Sequence, residues 1–283
     1  MWRELYFQNE QFERGINRLL NSGTVHVNHS TGRITPIHHS LDAGANWLFF
    51  GHVTALRDCH LWHQIMFNYF DIVPEFCKLR CYKVVTKVRN FLEAIQFYNA
   101  MLASPHHRAD LMPMHGKVGI DERYYSSGHF NAFVYCDGPD DAHVKYTAVR
   151  ALVDDLIPTG PDIPIIIKRS CTEFERKFGP TNTPFWQSMS PEELDIQHRL
   201  EDICDSELIS AVQPDWIKNK IIAKMVRWAN TVGDKSWLEY FDGPDFLTAH
   251  AVTYHEQPVT QGAKQVKNTP KPKAALKPKH KEK

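Results

Sequence analysis

Between residues 81 and 168 the hydrophobic positions change period between two and 3.6 in a fixed order: strand, helix, strand, strand, helix, strand. Residues 81 to 88 (CYKVVTKV) are β-branched and alternating, as a half-buried strand requires. Asn90, with Glu93 three residues on, predicts a capped helix start. Leu92, Ile95, Tyr98 and Met101 then recur at helical spacing, and Pro105 predicts an end near Ser104. GKVGI and FNAFVYC predict a second and a third strand, joined through a turn-rich segment holding Ser126, Ser127 and Gly128. Gly138-Pro139 breaks the chain, Asp140 is placed to cap a second helix, and Val144, Ala148, Leu152 and Leu156 form its apolar side. Pro158 ends that helix. IPIIIK reads as a fourth strand, which Pro164 places at a sheet edge.

The order β-α-β-β-α-β is that of the split βαβ, or ferredoxin-like, α+β arrangement, in which helices cover one face of the sheet. Every second residue gives that face: Val84, Val88, Val118, Ile120, Ala132, Val134, Ile165 and Ile167, all apolar. The opposite face differs in kind. It collects Lys83, Lys87, Lys117, Asn131, Phe133, Tyr135 and Lys168, and the usual strand order of the fold sets the first and third strands side by side. Aromatic rings beside lysines suit unstacked bases and the phosphates that join them. The arrangement resembles the RNA recognition motif. Ala132-Phe133-Val134 matches the small, aromatic and valine positions of its octamer, while Phe130 and Cys136 stand where that octamer has a basic residue before glycine and a final aromatic.

The flanks read as additions to this core, residues 1 to 80 before it and 171 to 260 after it. Phe12, Ile16, Leu19 and Leu20 lie on one helical stripe that Gly23 terminates, and a short hairpin follows across residues 28 to 32. From Asp42 to Asp71 large apolar groups without proline predict one long buried helix, or two broken at Gly51. Lys168, Arg169, Arg176 and Lys177 form a basic cluster after the fourth strand; it reads either as a phosphate-contacting rim or as a strand extension paired by Glu173 and Glu175. Ser190-Pro191-Glu192-Glu193 carries a full helix-start signal. A later helix, from about Pro214 to Asn230, places Ile217, Ile221, Met225 and Trp228 on one stripe and Lys220, Lys224 and Arg227 on a neighbouring one.

Composition changes this picture at the C-terminus. Net charge is zero over 283 residues, but residues 261 to 283 carry +7 and the remainder −7. That Lys/Pro-rich stretch, with Lys271, Lys273, Lys277 and Lys279, lacks the apolar groups to fold and is expected to be a disordered arm that binds phosphate through counterion release. No apolar run reaches the roughly 20 residues that cross a bilayer, and the charged start does not read as a signal peptide. Six scattered cysteines fit a reducing compartment, so the cytoplasm is the expected location and no membrane contact is expected.

Two constellations point to other chemistry. His52-Val53-Thr54 has the His-x-Thr form of two-histidine phosphoesterases, but the second copy, His29-Ser30-Thr31, is too near in sequence to lie on a symmetric lobe. Cys59, His60, His63, Cys77 and Cys81 are zinc-ligand types without a strong motif spacing. Neither spacing meets the needs of its chemistry, so no catalytic residue, metal or cofactor is expected. The sequence predicts a non-catalytic RNA or single-stranded nucleic-acid-binding protein. The alternatives are a histidine- or metal-dependent phosphoesterase or nuclease, and a structural adaptor whose basic tail docks on an acidic protein partner.

Overall fold

The computed structural model describes residues 10–36, 45–51, 63–107, 114–126, 128–204 and 213–241. In chain order, α1 (Glu10–Leu20) precedes a hairpin of β1 (Val25–Val27) and β2 (Ile34–Pro36). Then come β3 (Trp47–Phe50), a π-helical segment (His63–Phe70) and α2 (Glu75–Leu79). β4 (Cys81–Thr86), α3 (Phe91–His107), β5 (Gly116–Ile120), β6 (Phe130–Asp137), α4 (Gly138–Leu156) and β7 (Ile165–Arg169) follow. The C-terminal elements are α5 (Thr172–Phe178), α6 (Pro191–Ile203), α7 (Asp215–Thr231) and α8 (Trp237–Tyr240). This is a mixed α+β architecture. Among the described residues no helix is long and apolar enough to cross a membrane.

Five strands form one antiparallel sheet in the order β3-β5-β6-β4-β7. Val84, Val88, Val118, Ile120, Ala132, Val134 and Ile165 are buried in one cluster with Phe91, Ala94, Ile95 and Phe97 of α3 and Val149, Leu152 and Val153 of α4, and Ile167 packs against it. The same core takes Ile217, Ile221 and Met225 from α7. Two donors at the start of α3 are satisfied from the α7–α8 turn: Phe91 N–H donates to Asp234 Oδ2 at 2.7 Å and Leu92 N–H to Ser236 Oγ at 3.0 Å. The first turn of α3 therefore anchors the C-terminal addition. Glu93 N–H donates to Asn90 Oδ1 at 2.9 Å, the expected cap.

A second core joins α1 and the π-helical segment to α6 through Phe12, Leu19, Ile65, Met66, Phe70, Ile196 and Leu200. Ser190 starts α6 with a complete capping box, Pro191 lying in its first turn. At the other end of α6, Arg33 donates to the carbonyls of Asp202 and Cys204, which have no partner within the helix.

Several local expectations are corrected. Trp47–Phe50 is a strand on the edge of the sheet rather than part of a buried helix, because a four-residue apolar run has no period of its own and β5 offers it a partner. Leu20 and Val144 are exposed. In α4 a strict spacing of four drifts around a helix of 3.6 residues per turn, so Ala142, Val149 and Val153 share the buried side instead. Gly138-Pro139 opens α4 rather than preceding it; Pro139 sits where a helix has no N–H partner to lose. The helix of residues 91 to 107 runs past Pro105. Residues 172 to 178 form a short helix, not a strand extension.

Candidate nucleic-acid interface

The sheet face away from α3 and α4 is organised in rows set by strand register. Phe49, Lys117, Phe133, Val85 and Ile166 lie side by side across all five strands. Tyr135, Lys83 and Lys168 make the neighbouring row. Trp47 stands opposite Gly119, where an added Cβ would lie 2.0 Å from the Asn46 carbonyl oxygen. Close strand approach and the missing side chain leave the indole beside Phe133, with ring centroids 5.6 Å apart at 61°. Lys117 Nζ lies 4.3 Å from the Trp47 ring centre and 5.8 Å from that of Phe133. Lys83 Nζ lies 6.0 Å from Phe133 and 5.9 Å from Tyr135. Rings and ammonium groups thus alternate as Trp47, Lys117, Phe133, Lys83, Tyr135, within cation–π range of one another. The three rings and Lys117 are half-buried, whereas Lys83 and Asn131 are buried.

Side chains on α5 and the β5–β6 loop bond to residues on part of this face. Lys83 and Lys168 face each other across β4 and β7, a like-charge pair that is unfavourable unless compensated. Glu175 pairs with Lys168, and Lys83 Nζ donates to Cys171 Sγ at 2.8 Å. Asp121 accepts two bonds from the Arg123 guanidinium, each 2.6 Å, one from the Arg123 backbone N–H at 3.4 Å, and a fourth from Asn131 Nδ2 at 3.0 Å. Arg123 donates onward to Glu173 at 2.6 Å, and the Tyr125 hydroxyl donates to the same carboxylate oxygen at 2.8 Å. Ser126 Oγ accepts from Asn131. No protein-family model, curated protein or solved structure matches this chain. What the surface can do therefore rests on its geometry.

The network is held in one charge state. Burial opposes ionisation of Glu173, but bonds from its own backbone N–H, the charge of Arg123 and the donors of Tyr125 and Arg123 outweigh it and hold the carboxyl at about 2. Asp121 is lowered in the same way, its burial outweighed by Arg123. The Tyr125 hydroxyl is raised, first by burial and then by its bond to Glu173. Because Glu173 binds its proton less readily in the folded state than in the unfolded chain, its contribution is complete above pH 4.5 and is lost as pH falls toward 2. That contribution is on the order of 2 kcal/mol. Urea unfolding between pH 6 and 2 should show wild-type stability falling through this window, and Glu173→Gln, less stable at neutral pH, should fall less steeply.

The other sequence-predicted residues lie as follows. Arg169 donates to the carbonyls of Lys78, Thr181 and Trp186, tying β7 to the segments around it. Lys177 pairs with Asp71, Arg176 is exposed on α5, and Lys87 is half-buried past the end of β4. Lys220 and Arg227 are exposed on α7, whose apolar side joins the helix-side core, and Lys224 donates to Asn46 Oδ1. None of them lies in the two rows described above. Lys271, Lys273, Lys277 and Lys279, and with them the whole basic arm, lie outside the described residues, as do His52, Cys59 and His60. Cys77 and Cys81 sit in an apolar cluster with Val73, Phe174 and Trp186. No group of three or more His, Cys, Asp or Glu side chains among the described residues is disposed to hold a metal ion. Trp47, Asp121, Arg123, Tyr124 and Tyr125 were not predicted. Only the density of charged and aromatic residues in DERYY hinted at the loop, and Trp47 was hidden by its reading as helix.

Proposed function

We propose that the chain is a non-catalytic RNA or single-stranded nucleic-acid-binding protein on a ferredoxin-like core. Four of the strands, in the order β7-β4-β6-β5 with helices after the first and third in sequence, fit that topology, with β3 added at the edge. The observation that carries the function is the placing of the Lys117 ammonium group on β5 between the half-buried rings of Trp47 on β3 and Phe133 on β6. Rings offer stacking surface to any unpaired base, and the ammonium group between them neutralises a connecting phosphate. Lys83, Asn131, Lys168 and Arg169 commit hydrogen bonds or ion pairs to the protein and hold the platform in shape. Direct contact is assigned to Trp47, Lys117, Phe133 and Tyr135. Since residues 1 to 260 carry −7, non-specific attraction comes from the basic arm.

The test is a salt-dependent titration of the full chain, and of residues 1–260, against single-stranded RNA, single-stranded DNA and duplex DNA. Removing the arm should weaken binding to all three and flatten the salt dependence by roughly 0.7 in log-log slope per lost phosphate contact on single strands. Residues 1–260 should keep a preference for unpaired strands. Equal, residual binding of single strands and duplex by residues 1–260 would leave the arm alone as the nucleic-acid element.

A further inference from the structure

Arg176 and the two tyrosines of the β5–β6 loop form a corner that lies outside the rows of the sheet. The rings of Tyr124 and Tyr125 stand nearly perpendicular, at 79°, with centroids 5.2 Å apart. The guanidinium carbon of Arg176 sits 4.6 Å from one ring centre and 4.7 Å from the other. Tyr125 is fixed by its bond to Glu173, whereas Tyr124 is 82% exposed, the most exposed large hydrophobic side chain among the described residues. Arg176 makes no hydrogen bond or ion pair among those residues. Its immediate acidic neighbours are already committed, Glu173 to Arg123 and Glu175 to Lys168. A planar cation is thus positioned by stacking while its fork of N–H donors is unused among the described residues, the arrangement that takes phosphate bidentately.

We propose that Arg176, Tyr124 and Tyr125 are a nucleotide subsite for single-stranded RNA: Arg176 takes one backbone phosphate and the exposed face of Tyr124 takes the adjoining base. This rests on the nucleic-acid reading above. Tyr125 is a positioning residue that holds the guanidinium. The one acidic side chain of the loop without an ion pair among the described residues is Glu122, which is exposed and works against an incoming phosphate.

The experiment compares binding of a 12-nucleotide oligouridine and an abasic strand of equal length by the full chain, four variants of the corner and, as a reference for the sheet, Trp47→Ala. Tyr124→Ala should weaken oligouridine about ten-fold and the abasic strand far less, because base stacking is lost while Arg176 keeps its contact with Tyr125. Arg176→Gln should weaken both and lower the salt slope by about 0.7. Arg176→Lys should restore the slope but not the full affinity, since lysine keeps the charge without the fork. Glu122→Gln should tighten both strands. The exposure of all three side chains keeps these variants folded, which melting curves would verify. If Tyr124→Ala and Arg176→Gln bind as wild type while Trp47→Ala does not, the subsite is wrong and the platform stands. If the wild-type chain binds neither strand, both fall.

Discussion

Asp121→Ala is expected to lower the melting temperature by about 10 °C. Asp121 is 4% exposed and its carboxylate accepts four hydrogen bonds, two of them from one guanidinium. Alanine leaves Arg123 Nε and Nη2 facing an empty position and removes one of the two acceptors of the buried Asn131 amide. Breaking one side of a buried ion pair costs about 3 to 5 kcal/mol. Arg123 is itself 38% exposed and keeps Glu173, so the low end applies, about 3 kcal/mol. In a chain of this size each kcal/mol moves the midpoint by about 2 to 4 °C. Circular dichroism melting checks it, with Asp121→Asn, which retains an acceptor, falling between. A change within 2 °C would mean that the network contributes no stability. Asp121 and Glu173 share Arg123, so their effects should not add, and a double-mutant cycle reads the coupling.

Trp47→Ala and Phe133→Ala should each cost about 1 to 3 kcal/mol of single-strand affinity while leaving the salt slope unchanged. The two rings also meet each other edge to face, so either change loses some packing. Leucine variants at both positions separate the effects: they keep apolar volume and fold stability but offer no π face. Trp47→Leu and Phe133→Leu should therefore melt near wild type and bind single strands as poorly as the alanine variants. Affinity that recovers with leucine would assign the rings to packing alone.

The apolar side of the sheet was legible because period two is a local property: the eight residues chosen by alternation line one face in the structure, seven of them buried and Ile167 partly so. The caps at Asn90 and Ser190 were legible for the same reason, since a cap is a contact between residues three apart. The composition of the site was less accessible. Lys83 and Lys168 looked like a cationic surface in sequence, yet burial of one and the Glu175 partner of the other depend on where α5 folds after β7. Arg123 meets Glu173 across 50 residues, a distance no period encodes. Trp47 joined the platform only because β3 pairs with β5 through the close approach that Gly119 permits. Gln213 then bonds both Trp47 O and Phe49 N–H, covering the outer edge of that strand with a side-chain amide.

Where an unpaired strand lies on the protein is the most direct question. Photocrosslinking of the full chain to a 4-thiouridine-containing single-stranded RNA, followed by peptide mapping, answers it at residue level. Crosslinks on the β3 and β6 peptides, centred on Trp47, Phe133 and Tyr135 and competed by unlabelled single strand but not by duplex, are the expected result. Crosslinks confined to residues 261 to 283, with β3 and β6 unlabelled, would contradict the platform.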